Sequence, residues 1–186
     1  MASLIYTALA SLDGYIEDDD GSFDFAFPDA EVHAVANELE ASTGTHLYGR
    51  RMYETMAVWQ DVVDEPGVSP EEVEFGSTWR DLDKVVFSTT LDEVWTPRTE
   101  LRREFDPAAV RALVDAADGD VSISGPGLAQ HAFAAGLVDD VHLFLFPVVV
   151  GGGKPGLPRE VRLELELVDE RRFGNGVVHL HLRSRR

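Results

Sequence analysis

Short apolar runs alternate along this chain with segments whose apolar residues recur at helical spacing. The runs that predict strands are residues 4–10, 45–48, 84–88, 121–124 and 141–150, the last interrupted by Pro147, with shorter candidates at 94–95 and 99–101. The segments that predict helices are residues 29–39, 49–57, 106–117 and 125–135, with Asp29 and Asp106 as candidate N-caps. Alternating strands and helices are typical of a mostly parallel sheet with helices on both faces.

Two segments do not follow this alternation. Residues 61–77 are polar and contain proline and glycine, so we predict a loop, with a short acidic helix after Pro70 as the alternative. Near the C-terminus, segments 162–173 and 177–182 flank the Gly-Asn-Gly sequence at 174–176, which predicts an antiparallel hairpin. We therefore expect a three-layer α/β/α fold with a central mixed, mostly parallel sheet and a C-terminal antiparallel hairpin.

Composition and charge narrow the function classes. The chain has 186 residues, 44% of them hydrophobic, with no repeat or dividing linker, so we expect one domain spanning residues 1–186. The absence of cysteine excludes disulfides, a thiolate nucleophile and a cysteine-ligated zinc site. The net charge of −18 argues against nucleic acids and anionic membranes as partners. The basic residues are 14 arginines and 2 lysines, so phosphate recognition must depend mainly on arginine.

The sequence also predicts where the protein works. No apolar run reaches the roughly 18 residues that a membrane span requires. The first ten residues are apolar but lack the basic residues of a secretory signal. We therefore expect a cytoplasmic protein, whose acidity fits either a solvated surface or a high-salt cytoplasm.

Two helix starts that contain glycine are the most informative local features. An apolar strand leads into residues 49–51 (Gly-Arg-Arg), and another leads into residues 125–127 (Gly-Pro-Gly). A helix N-terminus offers unpaired N–H groups and the positive end of a dipole, and glycine lets a phosphate approach the backbone. Two such starts fit a dinucleotide, although a solvated basic turn and a rigid turn are the alternatives. Residues 88–90 (Ser-Thr-Thr) fit either a ligand contact or a hydroxyl-rich cap.

Other chemistries have weaker support. Residues 151–154 (Gly-Gly-Gly-Lys) lack the leading glycine, the hydroxyl residue and the helix of a phosphate loop, so we predict a flexible loop. His179 and His181 share one face of a strand, but no third ligand is visible, and packing or solvation is favoured over metal binding. Residues 18–21 lack the spacing of a calcium loop. The sequence contains neither a G-x-S-x-G elbow nor a G-x-G-x-x-G motif after the first strand. We therefore predict no metal site.

An ordered set of segments resembles the dihydrofolate reductase superfamily, and most closely the C-terminal reductase domain of bifunctional riboflavin-biosynthesis enzymes and its stand-alone relatives. These segments are residues 10–16 (ASLDGYI), 48–54 (YGRRMYE), 86–91 (VFSTTL), 123–128 (ISGPGL) and 137–143 (LVDDVHL), followed by Pro147 and 151–153 (GGG). The matches run in order through residues 3–157, and the ordered set is more specific than any single segment. The resemblance implies a dihydrofolate-reductase-like fold.

The resemblance also implies an NADPH site. In the family, the helix start that matches residues 49–51 approaches the pyrophosphate and the adenosine phosphate, and the segment that matches 88–90 borders the adenosine end. The second helix start binds the pyrophosphate, often with a cis peptide at the position of Gly125 and Pro126, which proline would favour. Small and apolar positions on and after the first strand face the nicotinamide. The implied cofactor-binding residues are Ala8, Ala10, Ile16, Gly49, Arg50, Arg51, Met52, Ser88, Thr89, Thr90, Gly125, Pro126, Gly127 and Leu128.

The chain departs from folate reductases before its first helix. Their Pro-Trp pair is replaced by residues 25–31 (Phe-Ala-Phe-Pro-Asp-Ala-Glu), which argues against folate as the substrate. We assign the proton source to Asp29, Glu31 or a water that they hold, with Asp29 as the first choice. This sequence holds no zinc-binding deaminase segment, so riboflavin synthesis would need another chain for the deamination.

We therefore predict an NADPH-dependent reductase that transfers a hydride to a small heterocyclic or carbonyl/imine substrate. Its reaction would resemble that of the 5-amino-6-(5-phosphoribosylamino)uracil reductase of riboflavin biosynthesis. The substrate cleft is expected between the first helix and the loop after Ile16. The alternatives are dihydrofolate reductase activity, a non-catalytic NADP-binding module of the same fold, and a globular dimer without cofactor affinity. The expected partners are a small-molecule substrate and a second copy of the chain in a homodimer.

Overall fold

The computed structural model describes residues 2–185, and its elements follow the predicted alternation. The strands are β1 (Leu4–Ser11), β2 (Tyr15–Glu17), β3 (Thr43–Gly49), β4 (Asp83–Phe87), β5 (Thr99–Arg102), β6 (Asp120–Ser124), β7 (Asp140–Phe146), β8 (Lys154–Pro155), β9 (Leu165–Arg172) and β10 (Val178–Ser184). The helices are α1 (Ala30–Glu40), α2 (Arg50–Met56), α3 (Trp59–Val62), α4 (Pro70–Asp81), α5 (Pro107–Ala116) and α6 (Pro126–Ala134), and a 3-10 turn at Asp24–Ala26 precedes α1.

Eight strands form one sheet in the order β5-β4-β3-β6-β1-β7-β10-β9. The six strands from β5 to β7 are parallel, whereas β10 pairs antiparallel with both β7 and β9. At the centre of the sheet, Tyr6 of β1 pairs with Ile123 of β6 on one side and with Val141 of β7 on the other. The predicted mixed, mostly parallel sheet with a C-terminal antiparallel hairpin is confirmed.

Three apolar clusters attach the helices to the two faces of this sheet. Neighbouring strand residues point to opposite faces, so Leu143 belongs to the cluster that holds α5 and α6, whereas Phe144 belongs to the cluster that holds α1. A third cluster contains Tyr48 of β3, Tyr53 of α2 and Trp79 of α4. The helices thus form a layer on each side of the sheet and leave the ends of its strands accessible.

No helix within residues 2–185 combines the length and apolar character needed to cross a bilayer.

The loop predicted over residues 61–77 is wrong for much of its length, because the structure has the twelve-residue helix α4 there. The helix begins with a capping box: Glu72 N donates to Ser69 Oγ at 3.2 Å, and Ser69 N donates to the Glu72 carboxylate at 2.9 Å. Hydrogen bonds from Ser69 lower the pKa of that carboxyl group. The alternative, an acidic helix after Pro70, is correct, although the helix is longer than expected.

The end of α4 is fixed by a buried lysine. The Nζ of Lys84 donates to the carbonyl oxygens of Trp79 at 2.8 Å and Leu82 at 2.7 Å. Burial lowers the pKa of Lys84 to about 8, because desolvation disfavours the charged ammonium. These contacts satisfy carbonyl groups that a helix end leaves without intrahelical partners.

A two-stranded ribbon of β2 and β8 lies beside the main sheet, and the sequence analysis did not predict it. At Gly153 a Cβ would stand 2.0 Å from the carbonyl oxygen of Glu17, so a larger residue could not be accommodated without displacing the backbone. The Nζ of Lys154 lies 3.2 Å from Glu17 Oε1. The glycine-rich segment predicted as a flexible loop is therefore packed against the segment that follows β1.

Smaller differences concern the ends of strands. β7 ends at Phe146, immediately before Pro147, so the run predicted to reach residue 150 is shorter. Proline lacks the N–H that a continuing strand needs, which explains this end. Residues 94–95 form no strand, whereas the candidate at 99–101 is the edge strand β5.

Candidate functional site

The carboxyl ends of three neighbouring parallel strands, β4, β3 and β6, open onto one cleft of about 450 Å³. In open α/β sheets this edge is the usual place for a ligand. The β2–β8 ribbon contributes a further part of the cleft wall. The predicted cofactor positions that line the cleft are Ile16, Gly49, Arg50, Arg51, Met52, Ser88, Thr89, Gly125, Pro126, Gly127 and Leu128.

Three other predicted cofactor positions lie outside this lining. Ala8 and Ala10 are buried on β1, at 7% and 3% exposure. Thr90 adjoins the cleft, because its Oγ1 accepts a hydrogen bond from Arg50 Nη1 at 3.2 Å. The structure thus brings together residues from segments more than 70 positions apart, and their assignment to a cofactor stays a prediction.

The two predicted proton donors lie at the start of α1 and do not line the cleft. Asp29 Oδ1 accepts from Val32 N at 3.0 Å, which confirms the predicted N-cap. Glu31 Oε2 accepts from Gly174 N at 3.0 Å, and its Oε1 lies 3.6 Å from an Arg171 nitrogen. Each carboxylate therefore makes a structural contact, and a role for either in proton transfer stays a prediction.

The start of α6 forms part of the cleft wall. Gly125 has φ of 87°, and a Cβ there would stand 3.3 Å from the Cβ of Met52. At Gly127, apart from the adjoining residues and the backbone of α6 itself, no heavy atom within residues 2–185 would lie within 4 Å of an added Cβ. The N–H groups of Gly127 and Leu128 are in the first turn, where a helix offers them no partner. All peptide bonds among residues 2–185 are trans, so the cis peptide expected before Pro126 is not found.

Two loops hold the β2–β8 ribbon in place beside the cleft. The carboxylate of Asp13 accepts from Ser11 Oγ at 2.7 Å, and from the backbone N–H groups of Val150 at 3.2 Å and Gly151 at 2.8 Å. The hydrogen bond from Ser11, with those two backbone donors, lowers the pKa of Asp13. The loop after β1 and the loop after β7 are thereby joined, which fixes the position of Ile16 on the cleft wall.

Sequence analysis missed several residues of the cleft. The rings of Phe87 and Phe105 lie 5.3 Å apart, and those of Phe105 and His131 lie 5.8 Å apart, so three rings form a continuous part of the wall. Phe105 follows β5, which the sequence indicated only as a short candidate strand. Its neighbour Arg103 was missed for the same reason. The predicted helix start at Asp106 was a signal that could have located both residues, because in alternating strands and helices the residues just before a helix follow the end of a strand.

The cleft is locally basic in an acidic protein. Four cationic side chains line it, namely Arg50, Arg51, Arg103 and Lys154. Glu17 is the one carboxylate among the described lining residues, and it is paired with Lys154. The chain as a whole carries a net charge of −18, yet four of its 16 basic residues lie at this one cleft. A local excess of positive charge suits an anionic ligand.

The histidines considered as metal ligands pack together on the face of β7 and β10. His142 Nδ1 lies 2.9 Å from His179 Nε2, and the rings of His142 and His181 stack 4.3 Å apart. Burial and the neighbouring imidazoles lower the pKa of His142 to about 4, against the attraction of Asp140. Within residues 2–185 no group of three or more histidine, cysteine or acidic side chains is arranged to hold a metal ion. The cluster is thus a packed part of the sheet face.

The comparison with protein families gives a match over nearly the whole chain. The model of the RibD C-terminal domain matches residues 2–179. The uncharacterized protein YyaP of Bacillus subtilis (strain 168) is 28% identical over 181 residues, which are 95% of this chain and 92% of that protein.

Solved structures show the same fold. A putative riboflavin biosynthesis protein from Shewanella sp. PV-4 superposes with a TM-score of 0.75 at 20% identity, covering 99% of both chains. The diaminohydroxyphosphoribosylaminopyrimidine deaminase/5-amino-6-(5-phosphoribosylamino)uracil reductase from Thermotoga maritima gives 0.64 at 14% identity, over 99% of this chain and 57% of that one. Dihydrofolate reductase from Enterococcus faecalis, complexed with NADP(H), gives a TM-score of 0.63 at 12% identity, covering 99% of this chain and 97% of that one. These neighbours confirm the dihydrofolate-reductase-like fold.

Proposed function

Because the chain belongs to the RibD C-terminal domain family, we propose that it is an NADPH-dependent reductase of a small heterocyclic or carbonyl/imine substrate. We further propose that its reaction resembles the reduction named for the Thermotoga maritima protein. The observation that carries the proposal is the basic cleft at the carboxyl ends of β4, β3 and β6, with the glycine start of α6 in its wall. The NADP(H) complex of the Enterococcus faecalis protein supports the choice of cofactor.

The residues of the cleft fit a phosphorylated dinucleotide. A Cβ at Gly127 would project into open space, so its absence leaves room for a ligand against the α6 backbone. The first-turn N–H groups of α6 suit a pyrophosphate. Arg50 and Arg51, in the first turn of α2, are available to a further phosphate, and the rings of Phe105 and His131 are available to a base.

The chemistry requires a hydride and a proton. NADPH, when bound, supplies the hydride to an electrophilic carbon of the substrate, and the protein supplies orientation. The proton must reach the atom bonded to that carbon, and we assign it to Asp29, to Glu31 or to a water that they hold. Both acids lie at the start of α1, beside which we place the substrate.

A thermal-shift titration of the full chain with NADPH, NADH and FMN tests the cofactor. NADPH oxidation should then be followed with the ribosylaminopyrimidine of riboflavin synthesis and with dihydrofolate. We expect the largest stabilisation from NADPH and turnover of the pyrimidine. No shift with NADPH would contradict the proposal. Stabilisation without turnover of any pyrimidine, pterin or carbonyl compound would favour a non-catalytic NADP-binding module.

We expect a preference for NADPH over NADH, and we expect it to depend on Arg50 and Arg51. Replacing both by alanine should lower the preference by several-fold to about a hundredfold, because hydrogen bonds to charged groups contribute roughly 1.5–3 kcal/mol. The double variant Arg162→Ala, Arg172→Ala serves as a control that removes two exposed arginines outside the cleft lining. Titrations with both cofactors measure the ratio, and equal affinities in the unmutated protein would contradict the assignment.

We also propose a homodimer, which size-exclusion chromatography with light scattering tests directly. The cytoplasmic location and the lack of nucleic-acid and membrane partners stay predictions from composition.

A further inference from the structure

Arg103, which sequence analysis did not identify, donates hydrogen bonds to three backbone carbonyl groups of the segment that follows β4. Its Nη1 donates to the carbonyl oxygens of Ser88 at 3.1 Å and Leu91 at 2.5 Å, and its Nη2 donates to that of Asp92 at 3.3 Å. No helix or strand spans these residues, which form an irregular segment after β4. One guanidinium group therefore holds both ends of segment 88–92.

The same segment is also held by its own Ser88 side chain and by the start of α2. Ser88 Oγ accepts from the backbone N–H groups of Thr90 at 3.2 Å and Leu91 at 3.0 Å. At the start of α2, Arg50 Nη1 donates to Thr90 Oγ1 at 3.2 Å. The position of the Thr90 hydroxyl group beside Arg50 thus depends on the conformation that Arg103 fixes.

We propose that Arg103 is a positioning residue that sets the preference for a 2′-phosphorylated adenosine, by holding segment 88–92 against Arg50. This inference rests on the proposed function and deepens it. Ordering an irregular segment costs conformational entropy. The three hydrogen bonds from Arg103, which we call the Arg103 clamp, order segment 88–92 before the ligand binds, so that binding does not have to supply this free energy. A ligand that carries the extra phosphate then finds hydroxyl groups and a guanidinium group already in place.

The geometry separates this role from a simple attraction by charge. A guanidinium group has five N–H donors in a fixed plane, and Arg103 uses three of them on carbonyl oxygens. Lysine keeps the positive charge but has a single nitrogen on a shorter side chain, so it cannot reproduce the rigid pair of Nη1 and Nη2 that bonds Ser88, Leu91 and Asp92 together. Arg103→Lys therefore removes the clamp and keeps the charge, whereas Arg103→Ala removes both.

The test uses 2′,5′-ADP and 5′-AMP as probes, since they differ by the 2′-phosphate alone and need no turnover. The preference is the ratio of the Kd for 5′-AMP to the Kd for 2′,5′-ADP. We expect this ratio to fall about tenfold in both variants, which corresponds to the loss of hydrogen bonds made by a charged group. Affinity for 5′-AMP should stay within about twofold of the parent. The neighbouring Arg102→Ala is the matched control, because Arg102 bonds to Glu100 and does not line the cleft.

The remaining outcomes overturn the inference. Parent-like preference in Arg103→Lys with loss in Arg103→Ala would assign the effect to charge. Parent-like preference in both variants, or an equal loss of both probes, would remove the positioning role. Failure of the unmutated protein to bind either 2′,5′-ADP or NADPH would instead contradict the proposed function itself.

Discussion

The two glycines at the start of α6 are glycine for different reasons. Gly125 has a positive φ and lies against Met52, so the backbone conformation alone already requires glycine there. Gly127 has neither constraint within the described chain, and we attribute it to close approach of the cofactor. We predict that Gly127→Val abolishes stabilisation by NADPH while the unliganded melting temperature stays within a few degrees of the parent, since valine has the better helix propensity. Melting curves with and without NADPH measure both effects.

Gly125→Val is the matched contrast for that experiment. A β-branched residue at positive φ is strained, so the unliganded protein itself should melt at a clearly lower temperature. If Gly127→Val were still stabilised by NADPH as the parent is, the proposed approach of the pyrophosphate at α6 would be wrong.

Asp29 allows capping and proton transfer to be separated. Asparagine caps a helix about as well as aspartate, because its side-chain oxygen still accepts from the N–H of Val32. Asp29→Asn should therefore keep the melting temperature and lower the turnover by about a hundredfold or more if the carboxyl group supplies the proton. Steady-state kinetics and melting curves are the measurements. Unchanged turnover would restrict Asp29 to its capping role and leave Glu31 or solvent as the source.

At the scale of single elements, the sequence was informative wherever an apolar run was local. The cap at Asp29, the strands β1, β3, β4, β6 and β7 and the C-terminal hairpin could be predicted from patterns of neighbouring residues in the sequence. Helix α4 was predicted only as a short alternative, because it buries just Gly76 and Trp79 and its end depends on hydrogen bonds that Lys84 of the next strand donates to backbone carbonyls. The Ser69–Glu72 spacing was a usable signal for its start. The β2–β8 ribbon depends on pairing across more than 130 residues, which no local pattern records.

Strands β7 and β10 lead to a prediction about pH. The folded state holds the pKa of His142 at about 4 through burial and repulsion from His181 and His179, whereas an unfolded histidine titrates near 6.5. Burial, and then His181, also lowers the pKa of His179, with Asp169 attracting and Arg171 repelling its proton. Between these pH values the unfolded chain binds more protons, so the free energy of unfolding should fall as the pH decreases from about 6.5 to about 4.

Chemical denaturation at several pH values measures this slope. His142→Asn should reduce it, because one of the two buried imidazoles is gone. His131→Asn is the control, since His131 is exposed on α6 and away from the cluster. A slope that His142→Asn leaves unchanged would show that other groups account for the acid sensitivity.

At the scale of the whole molecule, the sequence located both glycine-containing helix starts but could not assemble the cleft. Gly49 and Gly125 share a wall because β3 and β6 are neighbours in the sheet, although they lie 76 positions apart in the chain. The family resemblance implied this arrangement, whereas composition and periodicity did not. Arg103 and Lys154 enter the cleft from the edge strand β5 and from the ribbon, whose positions were not predictable.

The contrast between a basic cleft and an acidic molecule predicts an unusual response to salt. At about 10 mM salt the Debye length is about 30 Å, so the net charge of −18 repels NADPH as a whole. At about 150 mM it is about 8 Å, and the cations of the cleft then dominate. We predict that the Kd for NADPH falls several-fold between these two concentrations of sodium chloride. It should rise again toward about 1 M, where the Debye length is about 3 Å and the attraction by the cleft cations is screened as well. NADH, which lacks one phosphate, should respond less. Isothermal titration calorimetry measures the dependence, and a Kd that rises steadily from the lowest salt would show that the cleft charges govern binding at every distance.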